Sequence, residues 1–73
     1  MIKAKLVELH GMRNEFEFAM DEEDVRDLYD TWSNGLLVEL IDEETDGYWN
    51  IKLPSGRPVT GISEFHLENL RFA

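Results

Sequence analysis

The apolar residues of this chain change their spacing once, and that change limits the folds it can adopt. Before Asp21 and after Gly35 they alternate with polar residues, as in half-buried strands. Between those two points they recur at intervals of three and four, which is typical of one apolar stripe along a helix. The residues of that stripe are Val25, Leu28, Tyr29 and Trp32. The 73 residues are therefore expected to form a single domain, spanning 1–73, that mixes one helix with several strands.

The signals at both ends of the stripe predict a helix from Glu22 to Ser33. Asp21 is placed to be its N-cap, and the acidic residues that follow suit the positive end of the helix dipole. Asn34 and Gly35 can adopt the left-handed backbone conformation that ends many helices.

The remaining segments are predicted as strands and turns. Residues 2–9 and 15–20 are interpreted as a hairpin, with Phe16, Phe18 and Met20 on one face of the second strand. Residues 36–41 suit a central strand. Asp46-Gly47 is a hairpin signal, followed by a partner strand over 48–53 and a turn over 54–57. Residues 62–72 leave two alternatives, a helical turn or a short closing strand.

The predicted fold class is α+β. One amphipathic helix packs on a four- to five-stranded antiparallel sheet, in the order β-β-α-β-β with a short C-terminal strand. The expected core consists of Leu6, Phe16, Phe18, Val25, Leu28, Trp32, Val38, Leu40, Trp49, Ile51, Ile62 and Leu70.

Charge and composition argue against several functions. A formal net charge of −9 disfavours direct binding to nucleic acid or to an anionic membrane. No apolar run is long enough for a membrane span, and the first residues lack the core of a signal peptide. There is no cysteine, hence no disulfide and no thiolate site. These features predict a cytoplasmic protein.

No catalytic motif is recognisable. His10 and His66 lie far apart, and neither a glycine-rich phosphate loop nor a nucleophile motif is present. A core this small leaves little room for a cleft that excludes water. We therefore expect a non-enzymatic protein with no catalytic residue, no cofactor and no metal site.

One acidic segment resembles part of a calcium-binding loop. Asp42, Glu44, Asp46 and Gly47 match positions 1, 3, 5 and 6 of an EF-hand. Position 12 is Leu53 instead of glutamate, and strands are predicted on both sides. An acidic hairpin turn is therefore favoured, and a weak cation-binding domain remains the third alternative for function.

The acidic residues are concentrated between Asn14 and Ile51. That segment contains thirteen of the sixteen acids and a single base, Arg26. The candidate partner-binding residues form three groups: Glu22, Glu23, Asp24, Asp27 and Asp30 on the helix; Asp42, Glu43, Glu44 and Asp46 in the hairpin; and Glu15 and Glu17 on a strand face that Glu39 adjoins.

Two interpretations of this acidity remain open. A charged helix face is usually only solvated, and acidity often serves solubility. However, surface helices ordinarily mix signs to gain pairs at i, i+4, and the segment from Asp21 to Asp30 has six acids against one arginine. Rows of carboxylates at such spacing imitate the phosphates of DNA.

In length, acidity and lack of catalytic groups, the chain resembles the small DNA-mimic inhibitor proteins of phages. The resemblance covers the overall length and the charge of residues 15–46. It rests on no motif and therefore assigns no residue. It implies an inhibitor encoded by a virus or mobile element, acting in the host cytoplasm, with a basic DNA-binding protein such as a nucleoid protein as its partner.

A second surface is predicted from the apolar residues that the helix cannot cover. Leu37, Ile41 and Tyr48 fall on the face of the sheet opposite the core. An exposed apolar patch on so small a domain suggests a partner, most simply a second copy in a homodimer. The alternative is that the C-terminal segment covers this face. The alternative function is thus a small homo-oligomeric structural or regulatory module whose acidity serves solubility.

Overall fold

Five strands and two α-helices make up the fold. The computed structural model describes the backbone of residues 2–72 and the side chains of residues 2–68. In chain order the elements are β1 (Ile2–Leu6), α1 (Arg13–Ala19), α2 (Glu22–Ser33), β2 (Leu37–Thr45), β3 (Tyr48–Lys52), β4 (Pro58–Ser63), a 3₁₀ turn (Glu64–His66) and β5 (Leu67–Phe72). The strands form one antiparallel sheet in the order β4-β3-β2-β1-β5. The α+β class is confirmed, whereas the predicted order of elements and the single helix are wrong.

The largest error concerns residues 13–19, which form α1 and not the second strand of a hairpin. Met12, Phe16 and Met20 are spaced four apart and all half-buried, so they form one face of a helical segment. Nε of Arg13 lies 3.2 Å from Oε2 of Glu17, an i, i+4 pair that the helix permits. β1 pairs with β2 and β5 instead.

Two consequences follow for side chains that alternation had placed on strand faces. Phe18, predicted to be in the core, is 94% exposed. Glu15 and Glu17 extend from a helix and not from a strand face. The strand-face group of acids therefore does not exist as predicted.

The second helix has the predicted bounds. Asp21 is its N-cap residue with extended backbone angles, although its side chain makes no capping hydrogen bond. Gly35 follows with φ of +66°, the left-handed conformation expected at the stop. Val25 and Leu28 are fully buried, which confirms the centre of the predicted stripe. Tyr29 and Trp32 are half-buried at its edge.

Strand β4 was not predicted because a β-bulge disguises its alternation. Val59 and Ile62 are both buried although three positions separate them. They pair with Ile51 and Trp49, which are only two apart, so β4 contains one extra residue. Gly61 takes up the bulge with φ of +72°, a conformation that favours glycine.

The sheet is curled so that its two edges approach each other. β4 and β5 are the edge strands, yet only the 3₁₀ turn connects them. The four steps from Ser63 to Leu67 span at most about 14 Å. The edges of a flat five-stranded sheet would lie about 19 Å apart. Both alternatives for residues 62–72 thus occur in succession, a helical turn and then a closing strand.

The concave side of the curled sheet holds the core. Leu28 of α2 joins side chains from β1 to β4 in one buried cluster. Of the predicted core, Leu6, Val25, Leu28, Val38, Leu40, Ile51 and Ile62 are buried, and Phe16, Trp32 and Trp49 are half-buried. Leu70 lies outside the described side chains. The core also contains residues that were not predicted: Ala4, Leu9, Leu53 and Val59.

Within residues 2–72, neither helix is long and apolar enough to cross a membrane.

Candidate protein-binding surfaces

The acidic face of α2 is partly neutralised by an arginine from the opposite half of the chain. Arg57, in the turn between β3 and β4, donates from Nη1 to Oδ1 of Asp24 at 2.8 Å. Its Nε lies 3.4 Å from Oδ2 of Asp27, and its Nη2 lies 3.7 Å from Oε2 of Glu23. The hydrogen bond to Asp24 is the main reason that the pKa of Arg57 is raised. Thirty-three positions separate Arg57 from Asp24, so no local spacing announces this contact.

Two of the five predicted helix acids are consequently engaged inside the fold. Asp24 and Asp27 are half-buried, and Asp27 also accepts a hydrogen bond from the hydroxyl of Ser55. They hold the β3–β4 turn against α2. The exposed acids of the helix group are therefore Glu22, Glu23 and Asp30, and Glu22 forms an i, i+4 pair with Arg26 at 3.5 Å.

The β2–β3 hairpin contains the most accessible carboxylates. Asp42, Glu43, Glu44 and Asp46 are all exposed. Among residues 2–68, the ion pairs join none of these four side chains to a basic group. Asp42 accepts from Nδ2 of Asn50, and Glu43 accepts from the amide of Gly47, both at 2.9 Å. These bonds to uncharged donors fix two of the carboxylates without neutralising them.

A further carboxylate, which sequence reasoning missed, joins the hairpin from the 3₁₀ turn. The amide of Glu64 donates to the carbonyl oxygen of Gly47 at 2.8 Å. Its carboxylate lies near the same glycine, 3.9 Å from where a Cβ would be. Glu39 lies before the hairpin acids in β2. Its register partners on the two neighbouring strands are Lys3 and Lys52, so its surroundings are basic.

The hairpin interpretation of residues 42–47 is confirmed by the strands on both sides. Within the described part of the chain, no three acidic or histidine side chains are grouped in a way that could hold a metal ion. The carboxylates of the hairpin are thus spread along a strand end and a turn.

The three residues predicted for self-association are exposed but do not form one patch. Leu37 is 37%, Ile41 52% and Tyr48 49% exposed. Leu37 lies at the start of β2, and Tyr48 pairs with Thr45 at its end. These positions are separated by up to about 26 Å along the strand. Phe65 of the C-terminal segment does not cover this face, since it is 82% exposed. Phe72, which belongs to the same alternative, has its side chain outside the described residues.

Tyr29 fixes α1 against α2 and the loop after β1. Its hydroxyl donates to the carbonyl oxygen of Leu9 at 2.8 Å. Its ring meets the rings of Phe16 and Trp32 edge to face, with centroids 6.2 and 5.5 Å apart. The guanidinium of Arg13 lies 5.4 Å from the centroid of the same ring. The position of α1, and of the acids on it, therefore depends on Tyr29.

Burial raises the pKa of Tyr29 above its usual 10.0, with Arg13 opposing the shift and Glu15 and Glu17 adding to it. As the pH rises from 10.0 through that raised pKa, the unfolded chain has lost a proton that the folded chain keeps, so stability falls. We expect Tyr29→Phe to lower the free energy of unfolding by about 1 kcal/mol at neutral pH and to lessen its alkaline decline. Urea unfolding across this pH range is the measurement. Tyr48→Phe, at an exposed site, is the control and should keep the full decline; an equal decline in all three proteins would contradict the assignment.

His66 links the 3₁₀ turn to the residue after β1. Its carbonyl oxygen accepts from the amide of Val7 at 2.9 Å, and its Nδ1 lies 3.2 Å from the Val7 carbonyl oxygen. Its ring meets Phe16 edge to face at 5.7 Å.

Comparison of the chain with protein-family models, with curated proteins and with solved structures found no match.

Proposed function

We propose that this chain is a non-enzymatic acidic binding protein that occupies the nucleic-acid-binding surface of a basic protein and so acts as a DNA mimic. The observation that supports this proposal best is the β2–β3 hairpin, whose four carboxylates are exposed and have no basic partner within residues 2–68. The exposed acids of α2 are a secondary group, since Arg57 already binds part of that face.

The spacing of the hairpin acids is compatible with this role. Alternate residues of a strand lie at most about 6.6 Å apart, so Asp42 and Glu44 near the end of β2 provide charges at about that spacing, and Asp46 adds another in the turn. One DNA strand provides a phosphate about every 3.4 Å of helix axis. The hairpin therefore has roughly half the linear charge density of one strand. Charge of this kind mainly accelerates association with a basic surface and makes it sensitive to salt.

The test is displacement of a labelled DNA duplex from a basic nucleoid protein, followed at increasing salt. The variant to compare carries Asp42→Asn, Glu43→Gln, Glu44→Gln and Asp46→Asn, which keep the two hydrogen bonds to Asn50 and Gly47. We expect the original chain to displace DNA at low salt, and the variant to associate about tenfold more slowly or worse.

A second variant with the same change in net charge tests whether the position of the carboxylates matters or only their number. It carries Asp21→Asn, Glu22→Gln, Glu23→Gln and Asp30→Asn, and it leaves the Arg57 contacts to Asp24 and Asp27 in place. This variant should lose less than the hairpin variant. Equal losses would mean that bulk charge decides, and undiminished displacement by both variants would refute the DNA-mimic proposal.

A second candidate function is the homo-oligomeric module, favoured by the exposure of Leu37 and Ile41 on the outer side of β2. Under this candidate the chain forms dimers whose stability barely changes with salt, and neither charge variant affects them. Sedimentation equilibrium on the same three proteins separates the two candidates.

A further inference from the structure

An apolar groove lies between α1 and the edge of the sheet formed by β4 and the 3₁₀ turn. Its volume is about 390 Å³. One wall comes from α1 and the other from the sheet, and the apolar part of the lining consists of Met12, Phe16, Ala19, Met20, Tyr48 and Ile62. A cavity of this size accepts one or two large apolar side chains and not a whole domain.

Two phenylalanines are neighbours of residues that line the groove, and both are almost entirely in water. Phe18 is 94% exposed and lies three positions after Glu15, so the two are neighbours on the surface of α1. Phe65 is 82% exposed and lies beside His66, which lines the opposite wall. Neither phenylalanine lines the groove, but both enlarge the exposed apolar surface around it, and a large exposed apolar surface is typical of an interaction site.

Carboxylates lie in the lining of the groove and close to it. Glu15 lines it from α1. Glu64 precedes Phe65 in the 3₁₀ turn, and its carboxylate lies near Gly47, whose amide is bound by Glu43. Tyr48, the next residue after Gly47, lines the groove. One carboxylate, that of Glu15, therefore belongs to the lining, and that of Glu64 lies close to the residue before Tyr48 on the other wall.

From this combination we infer that the groove binds a short amphipathic segment of a partner protein, with apolar side chains at helical spacing and lysine or arginine beside them. Apolar anchors at i, i+3 or i+4 enter grooves of this kind, and the carboxylates of Glu15 and Glu64 match the basic residues. A second copy of this chain is disfavoured by its own net charge of −9, and nucleic acid and anionic lipid are disfavoured by the same carboxylates. This inference adds a binding site to the proposed function. It rests on that function in one respect, namely that the partner is positively charged.

The probe is a synthetic amphipathic peptide of about four helical turns, made of leucine, lysine and alanine with one leucine stripe. Its control is a peptide of the same composition in which the leucines are scattered. Binding is measured by calorimetry and by amide chemical shifts. We expect the striped peptide to bind more tightly than the scattered one and to shift the amides of residues 12–20 and 60–66.

The variant that tests the site is Phe18→Ser with Phe65→Ser, which changes two exposed side chains and should leave the fold intact. It should raise the Kd of the striped peptide about tenfold or more. The matched control, Leu37→Ser with Ile41→Ser, removes two apolar side chains from the outer face of β2 and should leave the Kd unchanged.

The two proposals fail in different ways. Equal binding of both peptides, with no effect of the Phe18 and Phe65 changes, would overturn the groove and leave the polyanionic surface standing. Absence of binding by either peptide would also overturn the groove. Tight, phenylalanine-dependent binding of the striped peptide without displacement of DNA would support the groove and refute the DNA mimic.

Discussion

Replacing Leu28 by alanine is expected to remove a large part of the stability of this domain. Leu28 is fully buried and belongs to the cluster that joins α2 to four strands. A buried leucine truncated to alanine costs about 2–5 kcal/mol, because the surrounding side chains cannot fill the cavity. A domain of 73 residues has about 4–11 kcal/mol in total, at 0.05–0.15 kcal/mol per residue. The melting temperature should fall by about 10 °C or more.

Leu36→Ala provides the matched control for this change. Leu36 lies just before β2 and is 46% exposed. Its loss should change the free energy of unfolding by about 0.5 kcal/mol or less. Thermal and urea unfolding followed by far-ultraviolet circular dichroism measure both variants. Similar losses for the two leucines would show that α2 does not pack on the sheet through Leu28.

The second large effect is a contrast between two phenylalanines on α1. Phe16→Ala should cost about 2–3 kcal/mol, since Phe16 is half-buried and its ring contacts the rings of Tyr29 and His66. Phe18→Ala should change stability by about 0.5 kcal/mol or less, since Phe18 is 94% exposed. Urea unfolding of both variants measures the contrast.

This pair also distinguishes a helix from a strand at residues 15–20. In a strand both phenylalanines would lie on the same buried face, and the two substitutions would cost similar amounts. In α1 they are two positions apart and lie on roughly opposite sides of the helix. Equal losses would therefore contradict α1, and the groove that depends on it.

The sequence was most informative where several local signals agreed. The α2 stripe, its N-cap position at Asp21 and the stop at Gly35 all pointed to the same bounds, and Asp46-Gly47 pointed to the hairpin. Alternation alone was misleading for Glu15 to Met20. The competing signal was the spacing of four between Met12, Phe16 and Met20, which extends beyond the short alternating stretch and is visible only when Met12 is considered with it.

The candidate surfaces depended on tertiary contacts that sequence does not display. The density of acids on α2 was visible, but the neutralising Arg57 was not, since β3 and its turn had to be placed beside α2 first. The groove was hidden for a similar reason. Its walls come from α1, β4 and the 3₁₀ turn, and β4 was concealed by the bulge at Gly61.

The curled sheet has a consequence for how the protein is made. β1 pairs on one side with β5, and Val7 and His66, separated by 59 positions, are hydrogen-bonded at the junction. During synthesis, the edge of β1 that pairs with β5 therefore stays uncovered until β5 has left the ribosome. Pairing so distant in sequence slows folding, because a long loop must close before its contacts are gained. During that interval, repulsion between the dense negative charges of the middle segments opposes contact between two incomplete chains, an effect of the acidity that requires no binding partner.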